Sequence, residues 1–189
     1  MATKIVLIRH GQTDWNKESL IQGRFDKPLN DIGRQQLSKT ALKLEKMGFT
    51  FDAYLCSPLQ RAIESCMIIK KYLDKKDIPL IKRQNLIERE FGIADGMKIN
   101  DVVYRHILHD DYDGMEKSKD IQERARKEIF DIAKMYPNQC VLAVTHSHFI
   151  KALFTTLDES LTFQSVLANG SLSFVEVEDE KIISFAFNK

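Results

Sequence analysis

Two runs constrain the fold more than any other feature of this chain. Ile5-Val6-Leu7-Ile8 and Val141-Leu142-Ala143-Val144 are apolar at every position and rich in β-branched residues. A strand with one wet face alternates apolar and polar side chains; a run without alternation reads as a strand buried on both faces. Between them, helix-period stretches alternate with short apolar runs, the pattern of an α/β fold. Leu37, Ala41 and Leu44 share a helix face that Gly48 can end, after a polar loop from Gly11 to Asn30. Ala53-Tyr54-Leu55-Cys56 reads as another strand. Ser57 and Pro58 follow as N-cap and first residue of a helix striped by Ala62, Cys66, Ile69 and Leu73.

Leu80-Ile81 predicts a short strand, and Asn85 to Gly96 an irregular stretch. Met97 to His109 reads as a helix. A second helix carries Ile121, Ala125, Ile129 and Ile132 and stops at Pro137; a third carries Phe149, Ile150, Leu153 and Phe154. Asn169-Gly170 marks a turn, followed by two antiparallel strands, Leu172 to Val177 and Lys181 to Phe187. The expected architecture is a three-layer α/β/α sandwich around a mostly parallel sheet. A chain of 189 residues accommodates one such domain, spanning 1–189.

The formal net charge of +1 gives no global field toward nucleic acid or an acidic membrane, so neither is an expected partner. No apolar run approaches the ~20 residues of a membrane helix, and Arg9-His10 interrupts the only N-terminal apolar stretch, so no signal peptide is expected. Cys56, Cys66 and Cys140 are odd in number and scattered, with neither metal spacing nor a disulfide framework. Together these point to the cytoplasm.

The chemistry is expected where strands end. Ile8 leads into Arg9-His10-Gly11, and Val144 into Thr145-His146-Ser147. In open α/β sheets, ligands bind beyond the carboxyl ends of parallel strands, so neighbouring strands would bring His10 and His146 into one crevice. A third strand ends at Cys56, with Arg61 in the first turns of the next helix. A cation at that helix end opposes the dipole unless an anion binds there. Arg9, Arg61, two imidazoles and helix N-termini together describe an oxyanion or phosphate pocket. Arg61 could instead pair with Glu64 on its own helix face, and Gly11 could merely permit a tight turn. Cys56 and Arg61 are one residue too close for the Cys-x5-Arg loop of a cysteine phosphatase. No G-x-S-x-G element marks a serine hydrolase. His146-Ser147-His148 could orient two imidazoles toward a metal, but no further ligand cluster supports it, and His148 reads as a helix-start or rim residue.

Leu7-Ile8-Arg9-His10-Gly11-Gln12-Thr13-Asp14-Trp15-Asn16 resembles the motif of the histidine phosphatase superfamily, also called phosphoglycerate-mutase-like. The resemblance continues through Gln22-Gly23, Asp26-Lys27-Pro28-Leu29, Gly33 and Gln36. It resumes at Ser57-Pro58-Leu59-Gln60-Arg61-Ala62, at Leu86-Ile87-Glu88 before Phe91-Gly92, and at Thr145-His146-Ser147. It implies that His10 attacks phosphorus and becomes phosphohistidine. Arg9, Arg61 and His146 would then bind the phosphoryl oxygens, with a further hydrogen bond from Asn16. Glu88 would protonate the leaving oxygen and later activate water, with Glu90 the competing acid. Gln22 and Gly23 would line the substrate side, and Gly11, Gln12, Thr13 and Ser147 would lie at the phosphate. No cofactor or metal is implied.

Within that family the rival to a phosphatase is a mutase, whose longer insert carries paired arginines for the substrate carboxylate. Residues 97–118 are short for such an insert and contain Arg105 alone. Gly114-Met115-Glu116-Lys117-Ser118 also departs from the family's Gly-Glu-Ser ahead of Asp120 to Arg124. The expectation is a phosphomonoesterase acting on a small phosphorylated metabolite or a phosphoprotein. Residues 97–118 would serve as its lid, and Tyr104, Arg105, His106, His109 and Tyr112 are candidates for contacting substrate. A non-catalytic phosphate-binding module is the remaining alternative; retention of Arg9, His10, Arg61, Glu88 and His146 argues against it.

Overall fold

Each buried strand divides its residues between two cores. On β1 (Thr3–Arg9), Ile5 and Leu7 join one core, and Val6 and Ile8 the other. β2 (Ala53–Cys56) and β4 (Cys140–Thr145) split in the same way: Ala53, Leu55, Val141 and Ala143 on one side, Tyr54, Cys56, Leu142 and Val144 on the other. The missing alternation in these runs is therefore the mark of a sheet covered on both faces. Fully burying a Leu or Ile in such a place contributes about 1.5–3 kcal/mol. The computed structural model describes residues 2–74 and 76–189.

α2 (Asp31–Lys46) and α3 (Gln60–Leu73) cover one face; α5 (Ser118–Met135) and α6 (Ser147–Thr155) cover the other. Gly48, at φ +75°, follows the end of α2 as the left-handed residue that a helix C-terminus favours. With β3 (Leu80–Lys82), β5 (Leu172–Glu178) and β6 (Lys181–Ala186), the sheet order is β3-β2-β4-β1-β5-β6. The first four strands are parallel. β5 runs antiparallel to β1 and pairs with β6 in a hairpin whose turn residues, Asp179 and Glu180, both have positive φ. The three-layer, mostly parallel sandwich is as expected.

Local boundaries differ. The stretch expected as loop from Gly11 to Asn30 contains a one-turn helix, α1 (Asp14–Lys17), closed by a capping box between Thr13 and Asn16. The helix expected over 97–109 is shorter, α4 (Asp101–Leu108), because the Asn100 side chain caps it by accepting from Val102 and Val103 N–H. Ser57 and Pro58 do not begin α3. Its N-cap is Leu59, without a side-chain cap bond; the Ser57 hydroxyl accepts from the Leu59 N–H, ahead of the helix, and meets His146. α4 belongs to a third small core of Ile21, Phe91, Ala94, Ile107 and Met115, apart from the two that flank the sheet.

Candidate active site

Strand register brings the two histidines together. Arg9 on β1 is the partner of Thr145 on β4, and His10 N–H donates to the Thr145 carbonyl at 3.0 Å. One residue further on, the rings of His10 and His146 lie with centroids 5.1 Å apart. β2 flanks β4, and α3, leaving it, carries Arg61 into the same place. Gly11 makes room for this junction: a Cβ there would stand 2.6 Å from the Gly33 carbonyl oxygen in α2.

His10 is buried. Its Nδ1 lies 2.7 Å from the Gly11 carbonyl oxygen, which can only accept, so Nδ1 carries the proton. Nε2 then holds a lone pair, and Arg61 Nε donates to it at 3.3 Å. Burial, then the charges of Arg61 and Arg9, hold His10 well below the ordinary imidazole value, so the ring is neutral near pH 7. Arg61 does not pair with Glu64, which binds Arg34 at 2.7 Å. Its other nitrogens donate to the carbonyls of Phe25 and Gly23 at 2.8 and 2.7 Å. Burial lowers Arg61 to about 10, against the raising influence of Glu88, Asp26 and Asp95, and it stays charged. Arg9 is likewise lowered to about 10 by burial; it donates to Leu167 O and keeps a buried Nε without a protein partner.

Glu88 faces the same cavity from the segment before Phe91. Its carboxylate accepts from the N–H groups of Arg89 at 2.9 Å and of His148 and Phe149 at 3.2 Å each, the last two at the start of α6. Arg124 steadies this segment by donating to the carbonyls of Asn85 and Ile87 while held by Glu116. Glu90 is not among the lining residues and pairs with Arg24 at 3.5 Å.

The polar residues lining the cavity are Arg9, His10, Asn16, Gln22, Glu88 and Ser147; Arg61 and His146 are outside the lining and adjoin it through His10. Leu20, Ile21, Phe91, Ile99, Tyr104, Ile107 and His148 complete the lining and make the rest of it largely apolar. Gln22 accepts from the Thr13 hydroxyl at 2.6 Å, which turns its amide nitrogen out as a buried donor without a protein partner. Gly23, expected on the substrate side, instead holds Arg61 through its carbonyl; a Cβ there would meet Asp95, Arg89 and Phe91 within 3 Å. Gln12 also faces away: its amide N–H bonds Gln36, and its side chain accepts from Asn30. Thr13 and Gly11 act behind the lining, and only Ser147 of that group reaches it.

Of the five candidates in residues 97–118, Tyr104 alone lines the cavity, its hydroxyl donating to Phe163 O at 2.5 Å. His106 pairs with Asp111, His109 with the Arg105 carbonyl, and Tyr112 packs against the third core. His148 is not a rim residue. It is buried between the rings of Phe91 and Phe163, at 5.0 and 5.1 Å, and kept neutral by burial and then by Lys151 and other cations. Ser57, whose Oγ lies 2.7 Å from His146 Nε2, falls within the motif stretch before Arg61 but reads in the sequence only as a cap, and Asn169, which donates to His10 O and Asn16 Oδ1, has no signal beyond turn propensity.

The profile of the histidine phosphatase superfamily (branch 1) matches residues 5–189. The chain belongs to that superfamily. It is 34% identical over 182 residues to an uncharacterized phosphatase PhoE of Bacillus subtilis, covering 95% of this chain and 91% of the relative. It is 31% identical over 198 residues to a 2,3-bisphosphoglycerate-dependent phosphoglycerate mutase of Parvibaculum lavamentivorans, covering 95% and 93%. The fold is similar to that of phosphoserine phosphatase from Entamoeba histolytica in complex with 3-phosphoglyceric acid. The TM-score is 0.77 at 25% identity, over 99% of this chain and 97% of that one. Among the described residues of this superfamily member, no group of three or more His, Cys, Asp or Glu is placed to hold a metal ion. No helix there is long and apolar enough to cross a membrane.

Proposed function

We propose that the chain hydrolyses small phosphomonoesters through a phosphohistidine on Nε2 of His10. The observation that carries this reading is the fixed ring of His10: Nδ1–H is bound to Gly11 O, so the lone pair is at Nε2, in a neutral buried imidazole. Nε2 attacks phosphorus as the bond to the leaving oxygen breaks, and Glu88 gives that oxygen its proton. Glu88 then takes a proton from water, whose oxygen attacks the phosphohistidine; phosphate departs and the His10 lone pair is restored. Arg9, Arg61, His146 and Asn16 hold the oxygens that gather charge, work that fixed dipoles and cations do without reorganisation. Three backbone N–H groups aim the Glu88 carboxylate. Each step uses protein side chains and water.

The cavity lining favours a phosphatase over a mutase. Among the described residues Arg9 is the one guanidinium lining the cavity, and the mechanism engages it with the phosphoryl oxygens. The remaining lining is apolar but for Tyr104 and His148, and among the described lining residues Arg9 alone could neutralise a substrate carboxylate. The recessed position of His10 favours a small metabolite over a phosphoprotein, and residues 97–118 supply part of the selective wall. Three free thiols fit a cytoplasmic setting.

A panel of phosphomonoesters assayed with a chelator present tests the reading, together with mass spectrometry of the acid-quenched protein. We expect phosphate release, a phosphate adduct on His10, and loss of at least ~10³-fold in His10→Ala. Equal release by wild type and His10→Ala would remove the nucleophile. Isomerisation of a monophosphoglycerate without net release would select the mutase.

A further inference from the structure

Ser57 is the first residue past β2 and is fully buried. Its Oγ lies 2.7 Å from Nε2 of His146, and the Leu59 N–H donates to it at 3.4 Å. We propose that Ser57 is a positioning residue that fixes the tautomer of His146, so that His146 presents Nδ1–H as a donor to the phosphoryl oxygens. The proposal rests on the phosphatase reading above.

The argument is one of proton accounting. A serine hydroxyl has one hydrogen to give. Among the described residues, Ser57 Oγ has two hydrogen-bond partners. One, Leu59 N–H, can only donate; the other is His146 Nε2. If Nε2 carried the proton, the Ser57 hydrogen would be buried with no acceptor and the Nδ1 lone pair with no donor; with the proton on Nδ1, that N–H is the one group of this pair without a protein partner, so fewer buried polar groups are left unmet. Ser57 therefore donates and Nε2 accepts. Burial, then the charges of Arg61, His10 and Arg9, keep the His146 ring neutral. A neutral ring that accepts at Nε2 has its hydrogen on Nδ1. That atom is buried and has no protein partner.

The result is two neutral imidazoles side by side, locked in opposite senses. His10 donates backward through Nδ1 to Gly11 O and offers a lone pair at Nε2. His146 accepts backward through Nε2 from Ser57 and offers a hydrogen at Nδ1. In-line attack on phosphorus needs one of each: a lone pair for the atom and a donor for the charge on its oxygens. The other His146 tautomer would turn a lone pair toward an anion.

The test uses the intact chain labelled with ¹⁵N-histidine. Ring-nitrogen correlation spectra of the substrate-free protein show which nitrogen of His146 bears hydrogen, with His146→Ala supplying the assignment. Wild type should show Nδ1–H, and Ser57→Ala a mixture or Nε2–H. With para-nitrophenyl phosphate, Ser57→Ala should lose about 10- to 100-fold in kcat/KM, as for loss of a donor to a charged group, and inorganic phosphate should inhibit it less well. Ser57→Thr, which keeps the hydroxyl, should recover most of that loss. In a His146→Ala background, Ser57→Ala should change the rate by less than about twofold, because Ser57 acts through that ring. Nε2–H in wild type, an unaltered spectrum and rate in Ser57→Ala, or a full additional loss in the His146→Ala background would each overturn the proposal. A wild type that turns over no phosphomonoester would remove the phosphatase reading instead, while the spectra would still decide the tautomer.

Discussion

On the proposed mechanism the cavity has a phosphoryl end and a leaving-group end, built by different means. At the phosphoryl end, Arg9, His10 and His146 come from strand ends, Arg61 from the first turn of α3 and Glu88 from the segment before Phe91, and main-chain groups aim three of them. Gly11 O fixes His10, the carbonyls of Gly23 and Phe25 fix Arg61, and three N–H groups fix Glu88. At the leaving-group end the wall is Leu20, Ile21, Phe91, Ile99, Tyr104, Ile107 and His148. Much of that wall rests on a small core of its own, away from the sheet. The proposed chemistry is thus built on the sheet, whereas the proposed selective wall packs largely on a core apart from it.

The largest effect should come from breaking the phosphoryl end. Arg61→Ala removes a buried cation that touches His10, and kcat/KM should fall about 10³-fold or more. Because the Arg61 charge helps hold His10 low, the acid limb of the surviving activity should also move to higher pH. Arg61→Lys should recover little, since one ammonium cannot reach Gly23 O, Phe25 O and His10 at once. Steady-state rates from pH 4 to 9 read both effects; retention of a tenth of the wild-type rate by Arg61→Ala would mean that the two ends do not differ as described.

A smaller change should follow at the other end. Ile99 lines the cavity yet is partly exposed, so Ile99→Arg places a cation on the apolar wall without burying it. The ratio of kcat/KM for a carboxylate-bearing phosphomonoester to that for a neutral one should rise about tenfold, with little change for the neutral ester. An equal fall for both would show that Ile99 serves the chemistry rather than the choice of substrate.

The smallest effect concerns stability and spans both ends. His10, His146 and His148 all titrate well below 6.5 in the folded chain, chiefly through burial, and near 6.5 when unfolded. Below pH 6.5 the unfolded state binds more protons, so stability should fall as pH falls from there toward the folded values. Each ring contributes at most about 1.4 kcal/mol per pH unit, and His148→Gln should flatten the slope by one ring's share. Melting temperatures from pH 7.5 to 5 measure it; an unchanged slope would mean that His148 protonates in place.

The sequence by itself determined the layers and the row of candidate site residues. Runs such as Ile5 to Ile8 can be satisfied only between two helical layers, because no alternation leaves a face for water. The His10 and His146 motifs follow directly from strands of that kind, so their place at the sheet's carboxyl edge was legible, and family resemblance supplied Glu88. Tertiary structure decided what depends on partners distant in sequence. A serine before a proline reads locally as a cap, and only β2 lying beside β4 turns Ser57 onto His146. His148 reads as a helix-start or rim residue, and it does open α6, but only the fold stacks Phe163 on its ring and sets Phe91 at right angles to it. Gly23 and Gln12 sit in the motif, yet their contacts run to Arg61 and α2 rather than to the cavity. Local propensity and periodicity fix which face of an element is buried; which atom of a side chain is donor, acceptor or free is set by whatever the fold brings opposite it.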